Sequence, residues 1–218
     1  MGLLLNIGET KGQCTAVWQV TESLQTLLKT TTLTTEEQDT LQSFKNESRQ
    51  GEWLAVRTLL QHLRPTCPII KYKENGKPYL ANGSEEISIS HSGQYIAIAL
   101  SPTIGRAGTA HTPGVDIEHI HPKIKRIAER FLNDKEKAFL STEDTVLVEQ
   151  LCTIWCVKEV LYKIHPKGML SFKNNLLVSP FTLANEGKLE GFIIENGTQS
   201  AYNLKYKRLG EYMLVYTE

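Results

Sequence analysis

The chain has 218 residues and a mass of 24.6 kDa, room for one large domain or two of about 110 residues. Lys plus Arg number 24 and Asp plus Glu 24, a formal net charge of zero, so no overall field draws the chain to nucleic acid or to an anionic membrane. With 40% hydrophobic and 22% charged residues it falls in the globular range, which excludes disordered and fibrous classes.

The charge balance is local as well as global. There are 9 basic and 10 acidic residues up to Thr103 and 15 and 14 beyond it, so any anion site must be a cluster. The four cysteines, Cys14, Cys67, Cys152 and Cys156, contain no CxxC, and the opening MGLLLNIGET has no basic n-region. Neither a disulfide framework nor secretion is indicated, and a reducing cytoplasm is the expectation. The longest apolar run, Tyr95 to Leu100, is far short of the ~20 residues of a membrane span.

Leu3 to Ile7 and Cys14 to Val20 read as short strands. Thr34-x-x-Glu37 is a capping box that opens a helix running to about Phe44. A second helix begins near Glu47, with Trp53, Val56, Leu60 and Leu63 at helical spacing, and stops at Arg64-Pro65. Strands return at Ile69 to Lys73, at Glu86 to Ser90 and at Gln94 to Leu100, with a turn at Asn75-Gly76.

The stretch Ser101 to Gly114, SPTIGRAGTAHTPG, reads as a linker between domains 1–103 and 104–218. Beyond it come a strand, Val115 to His119, a basic helix from about Lys123 to Phe131, a helix capped by Asn133-x-x-Glu136, and a long helix from about Asp144 to Ile164. Turn signals at Asn185-Glu186-Gly187, Asn196-Gly197 and Leu209-Gly210 divide a β tail into Gly191 to Glu195, Ala201 to Tyr206 and Tyr212 to Tyr216. Each half mixes helices with antiparallel strands, so the fold class is α+β in two similar lobes.

Gly114-Val115-Asp116-Ile117-Glu118 places two carboxylates at i and i+2 on a strand, on one face and about 7 Å apart. Such a pair can clamp a hard cation such as Mg²⁺, or simply line a polar outer face. On the long helix, Lys158 lies in the middle of the apolar stripe of Leu151, Ile154, Trp155, Leu161 and Tyr162. Its amine either snorkels outward or meets a buried anion. Glu159 and Lys163 form an i,i+4 pair on the flank, which also reads as an ordinary helix salt bridge.

In Ser88-Ile89-Ser90-His91-Ser92-Gly93, Ser90 and His91 are adjacent and face opposite ways, so they are not a nucleophile and its base. A phosphate contact and a loop histidine are both open. Lys77 in Gly76-Lys77-Pro78, and Arg49 and Arg57 on the second helix, are either anion contacts or solvated charges. His119 and His121 do not make a convincing transition-metal site, and Cys152 with Cys156 reads as a pair of core thiols. There is no Walker loop, GxGxxG or GxSxG.

The order GKP (Gly76 to Pro78), SISHS (Ser88 to Ser92), GVDIE (Gly114 to Glu118), FLNDKE (Phe131 to Glu136) and WCVKEVLYK (Trp155 to Lys163) resembles the surfactin-type 4′-phosphopantetheinyl transferases. The resemblance implies two α/β lobes related by pseudo-twofold symmetry with coenzyme A in the cleft between them, in a cytoplasmic monomer. It implies transfer of 4′-phosphopantetheine from coenzyme A to a serine of an apo acyl or peptidyl carrier protein of fatty acid, polyketide or peptide synthesis, releasing adenosine 3′,5′-bisphosphate. Asp116, Glu118 and Glu159 would bind Mg²⁺, and Lys158 and Lys163 would meet the pyrophosphate. Lys77, Ser90, His91 and Arg49 would hold the nucleotide end, and Glu159 or a water beside the ion would be the base.

Several features depart from that pattern, among them Val160 in place of the usual Ala and Pro166-Lys167-Gly168-Met169 in place of a more Gly-rich run. Glu36, Glu37, Gln38 and Asp39 stand where many relatives carry basic residues, which leaves the grip on the 3′-phosphate to another group such as Lys45, and the linker is long. Lys123, Lys125, Arg126 and Arg130, offset by Glu129, make a patch suited to an acidic carrier helix or else a solvated face. Two other functions use the same residues: a Mg²⁺-dependent nucleotide pyrophosphohydrolase, and a non-catalytic carrier-binding homologue.

Overall fold

The computed structural model describes residues 3–10, 13–66, 68–103, 112–166 and 169–218. The chain divides into two compact units, Met1–Thr112 and Pro113–Glu218. Most of the expected linker, residues 104–111, and Cys67 lie outside the described residues.

In the first unit, strands β1 (Leu3–Thr10) and β2 (Gln13–Gln19) pair antiparallel. Three helices follow: α1 (Leu24–Thr30), α2 (Thr35–Ser43) and α3 (Glu47–Leu63). A small hairpin, β3 (Ile70–Tyr72) with β4 (Pro78–Leu80), precedes β5 (Glu85–Ser92) and β6 (Tyr95–Pro102). The main sheet runs β1-β2-β6-β5.

The α3 helix has an Asn46 N-cap and buries Leu54, Val56, Leu59 and Leu60, which join Trp18, Ile87, Ile96 and Ile98 in one core. Arg64, its C-cap, reaches Glu85 of β5 with two hydrogen bonds of 2.7 and 2.6 Å, a bidentate grip that fixes helix against strand. The Thr34–Glu37 capping box forms as expected. Helix α1 escapes the sequence pattern because only Leu27 of its seven residues is buried and threonines weaken it; the Ser23 hydroxyl, accepting from Thr26 N–H, starts it.

In the second unit, β7 (Val115–His119) leads into a 3-10 turn (Pro122–Arg126), two one-turn helices α4 (Ala128–Phe131) and α5 (Asp134–Lys137), and the long α6 (Asp144–Ile164). Strands β8 (Leu176–Val178), β9 (Glu186–Glu195), β10 (Thr198–Leu209) and β11 (Tyr212–Thr217) complete a sheet of order β7-β11-β10-β9-β8. The core of this unit is built on α6 laid against one face of that sheet: Ile154, Val157, Val160 and Leu161 pack on Leu204, Tyr206, Met213 and Val215.

Two readings need correction. The basic segment is no continuous helix: Pro122 begins a 3-10 turn that ends at Arg126, and Ile127 is the cap between it and the one-turn α4. Gly187 is no turn residue but lies inside β9, where a Cβ would come within 2.7 Å of the Tyr206 ring. The glycine marks close approach of strand to aromatic ring. At Asn196-Gly197 both residues do take positive φ, 51 and 79, as a two-residue hairpin turn requires.

Candidate active site

The orientation of β7 decides what its acids can do. Asp116 pairs with Val215 of β11 and Glu118 with Met213. Directly paired residues in an antiparallel ladder point to the same face, and Met213 and Val215 belong to the core under α6. The two carboxylates therefore face the helix, not a polar outer surface, while Val115 and Ile117, both fully buried, face the other way. Asp116 is itself 3% exposed.

Helix α6 answers the acids with one cation and a third acid. Lys163 Nζ donates to Asp116 Oδ1 at 2.7 Å and to the Val115 carbonyl at 2.9 Å. Burial, followed by the nearby Asp116 carboxylate, pushes the Glu159 carboxyl up to about 7, with Lys163 opposing and Glu118 adding to the rise. Glu159, Asp116 and Glu118 thus share one electrostatic site, and the expected Glu159–Lys163 pair gives way to Lys163–Asp116.

Three carboxylate donors in one partly buried place suit a hard divalent cation by donor chemistry. Among the described residues no three His, Cys, Asp or Glu side chains stand close enough together to hold a metal ion as they are placed. Mg²⁺ keeps much of its sphere for water and substrate phosphate, so an open set of carboxylates fits it better than a closed one.

Lys158 does not join this group. Its amine is fully buried and donates to the Phe131 carbonyl at 2.6 Å, Glu136 Oε2 at 2.7 Å and the Phe172 carbonyl at 2.8 Å. The buried anion that its position in the apolar stripe called for is Glu136. The Asn133–Glu136 capping box is also present, so one carboxylate serves two purposes, and the cap signal hid the second.

In the first unit, Arg49 and His91 meet at Glu52. Arg49 Nη1 lies 3.4 Å and His91 Nδ1 3.9 Å from the same Glu52 Oε2. His91 pairs with Ile96, a core residue under α3, so it faces the helix; Ser90 pairs with Ala97 and is buried on the opposite face. Glu52 carried no sequence signal beyond its i,i+3 spacing from Arg49.

Lys77 follows Gly76, which takes φ +80 in the hairpin turn. Burial draws the Lys77 amine below its ordinary range, with Glu86 opposing and Lys73 reinforcing. Of the acids at the start of α2, Glu37 accepts from Arg57 Nε at 2.9 Å while that guanidinium stacks 3.2 Å from the Trp53 ring centroid, so both are committed to structure. Glu36 lies 3.6 Å from Lys71. The His119 ring stands 5.7 Å from His121 and 5.0 Å from Tyr212 as an exposed cluster, and Cys152 and Cys156 are buried free thiols.

Lys123, Lys125, Arg126 and Arg130 line the 3-10 turn and α4 on the solvent side. Lys125 Nζ pairs with Asp144 at 2.6 Å, and Glu129 pairs with Lys137 at 2.6 Å, so the offset to the basic patch is taken up elsewhere. No helix among the described residues is long and apolar enough to cross a membrane.

Residues 112–217 match the profile of the 4′-phosphopantetheinyl transferase superfamily. The chain is also 30% identical over 122 residues to the 4′-phosphopantetheinyl transferase gsp of Aneurinibacillus migulanus. That match covers 55% of this chain and 48% of the relative, so it spans about half the relative's length.

Proposed function

We propose, from the similarity of residues 112–217 to the 4′-phosphopantetheinyl transferase superfamily, that the protein moves the 4′-phosphopantetheine group of coenzyme A onto a serine of an apo carrier protein. The observation that supports this most is that Asp116 and Glu118 face α6, where Lys163 pairs with Asp116 and Glu159 lies within electrostatic reach of both acids. In the proposed step the serine oxygen bonds to the phosphorus that bears pantetheine. The bridging P–O bond breaks, and adenosine 3′,5′-bisphosphate leaves with that electron pair.

The protein contributes alignment, charge and one proton transfer. Glu159, or a water that it orients beside the ion, is the proposed acceptor of the serine proton. Lys163 holds Asp116 in place and keeps the third acid from being overwhelmed by like charge. Asp116, Glu118 and Glu159 are the residues that would hold Mg²⁺, which when bound offsets charge gathering on the diphosphate oxygens. Arg49, His91 and Lys77 are the proposed contacts for the nucleotide end, with Glu52 beside the first two. The exposed bases at Lys123, Arg126 and Arg130 are the proposed dock for an acidic carrier helix, with Lys125 joining once it leaves Asp144.

Mass spectrometry of purified apo acyl and peptidyl carriers incubated with the protein, Mg²⁺ and coenzyme A tests the reading. The expected result is one phosphopantetheine gained on one serine. Steady bisphosphate release without carrier would point to hydrolysis, and no turnover alongside tight carrier binding would point to a non-catalytic role.

A further inference from the structure

We propose that Glu136 and Lys158 are a positioning pair that sets Glu159, and that Lys158 never touches the diphosphate; this rests on the transferase reading above. An ammonium has three protons, and all three of Lys158's are spent inside the protein, on the Phe131 and Phe172 carbonyls and on Glu136. The Glu136 carboxylate is equally committed. Besides Lys158, its Oε2 accepts from Asn133 N–H at 3.0 Å, and its Oε1 accepts from Val178 N–H at 3.0 Å. Both side chains are completely buried.

The pair therefore gathers the end of α4, the start of α5, the segment at Phe172 and strand β8 onto a single point of α6. That point is the residue next to Glu159. Around the same place Trp155 packs between Phe131 and Phe172, with ring centroids 5.3 and 5.2 Å away, so the helix can neither slide nor roll without breaking buried polar bonds and aromatic contacts together. For Lys158 to reach a phosphate it would abandon three hydrogen bonds and leave Glu136 ionised with no counter-charge in a dry interior. Fixing α6 here fixes how Glu159 meets the acids of β7.

Three variants decide this: Lys158→Met, Glu136→Leu and the double variant. The readouts are Tm, the folded fraction by near-ultraviolet circular dichroism, coenzyme A titration calorimetry, and kcat and KM on an apo carrier protein. Each single variant is expected to lose Tm and at least tenfold in kcat per folded molecule, with coenzyme A Kd and KM within twofold of wild type. The double variant, an apolar pair replacing a buried ion pair, is expected to regain most of the lost Tm. If the singles do not fold, the double variant supplies the kcat and KM values. A tenfold or larger rise in coenzyme A Kd in Lys158→Met or in the double variant would make Lys158 a phosphate ligand and overturn the proposal. Unchanged kcat per folded molecule would overturn it too, leaving a purely structural pair. A wild-type protein inactive on every carrier is the separate failure of the transferase reading.

Discussion

Lys163 Nζ stands 2.7 Å from Asp116 Oδ1, so the last turn of α6 is pinned to the acidic strand by an ion pair whose acid is 4% exposed and whose base is 25% exposed. Removing the amine leaves Asp116 buried beside two other carboxylates. Lys163→Met is expected to cost about 1–3 kcal/mol, less than a fully buried pair because the lysine is partly solvated. Mg²⁺ supplies the same sign of charge to the same acid, so the Tm deficit of Lys163→Met should shrink when Mg²⁺ is added. Thermal melts with and without the ion check this, and an equal deficit in both would remove Asp116 from the proposed cation site.

Glu159 gives a pH dependence of definite sign. Its carboxyl is raised from an ordinary value of 4.5 to about 7, so between those limits the native protein keeps a proton that the unfolded chain has released. Stability of the metal-free protein therefore falls as pH rises through this window and levels off above it. Glu159→Gln, which cannot ionise, should flatten the slope and raise stability at pH 8 by roughly 1–3 kcal/mol, while abolishing transfer. Melts in chelator from pH 5 to 8 measure it. Parallel wild-type and variant profiles would mean that Glu159 is not held among like charges.

Much of this arrangement is legible in the order of amino acids alone. The long α6, the strand of Asp116 and Glu118, and the hairpin turns at Gly197 and Gly210 each carry a local signal of periodicity, alternation or turn chemistry. Partners are harder to read, because a pairing is set by tertiary placement. Lys163 sits at i+4 from Glu159 but bonds to a residue 47 positions back. Glu136, explained in full as a capping residue, turns out to be the counter-ion of Lys158 as well. Gly187 shows the same limit in reverse: its loop-like signature records a ring passing overhead.

Glu52 makes a prediction that runs against the usual direction of a site mutation. Its carboxylate already occupies Arg49 and His91, at 3.4 and 3.9 Å, so an incoming anionic group must displace it. Glu52→Gln removes the competing charge and is expected to lower the Kd for coenzyme A about three- to tenfold, a small gain because Arg49 is half exposed and screened. Arg49→Ala should weaken it. Titration calorimetry at low and physiological salt reads both, with the effect larger at low salt. A weaker Kd in Glu52→Gln would show instead that the carboxylate itself contacts the ligand.

The proposed docking patch allows a test that separates carrier recognition from coenzyme A binding. Lys125 is engaged by Asp144 at 2.6 Å, whereas Lys123, Arg126 and Arg130 present their charge to solvent on the 3-10 turn and α4. Reversing Lys123 and Arg126 to Glu inverts two charges of the patch without touching the buried core. An acidic carrier surface would then be repelled where it had been attracted, an effect on encounter more than on chemistry. The expected outcome is a carrier KM raised about tenfold or more at low salt, partly recovered as ions screen the repulsion, with coenzyme A Kd and kcat at saturating carrier near wild type. Reversing Lys125 in addition frees Asp144 and should add to the effect. A carrier KM that does not respond to Lys123→Glu with Arg126→Glu would move the docking surface off this segment.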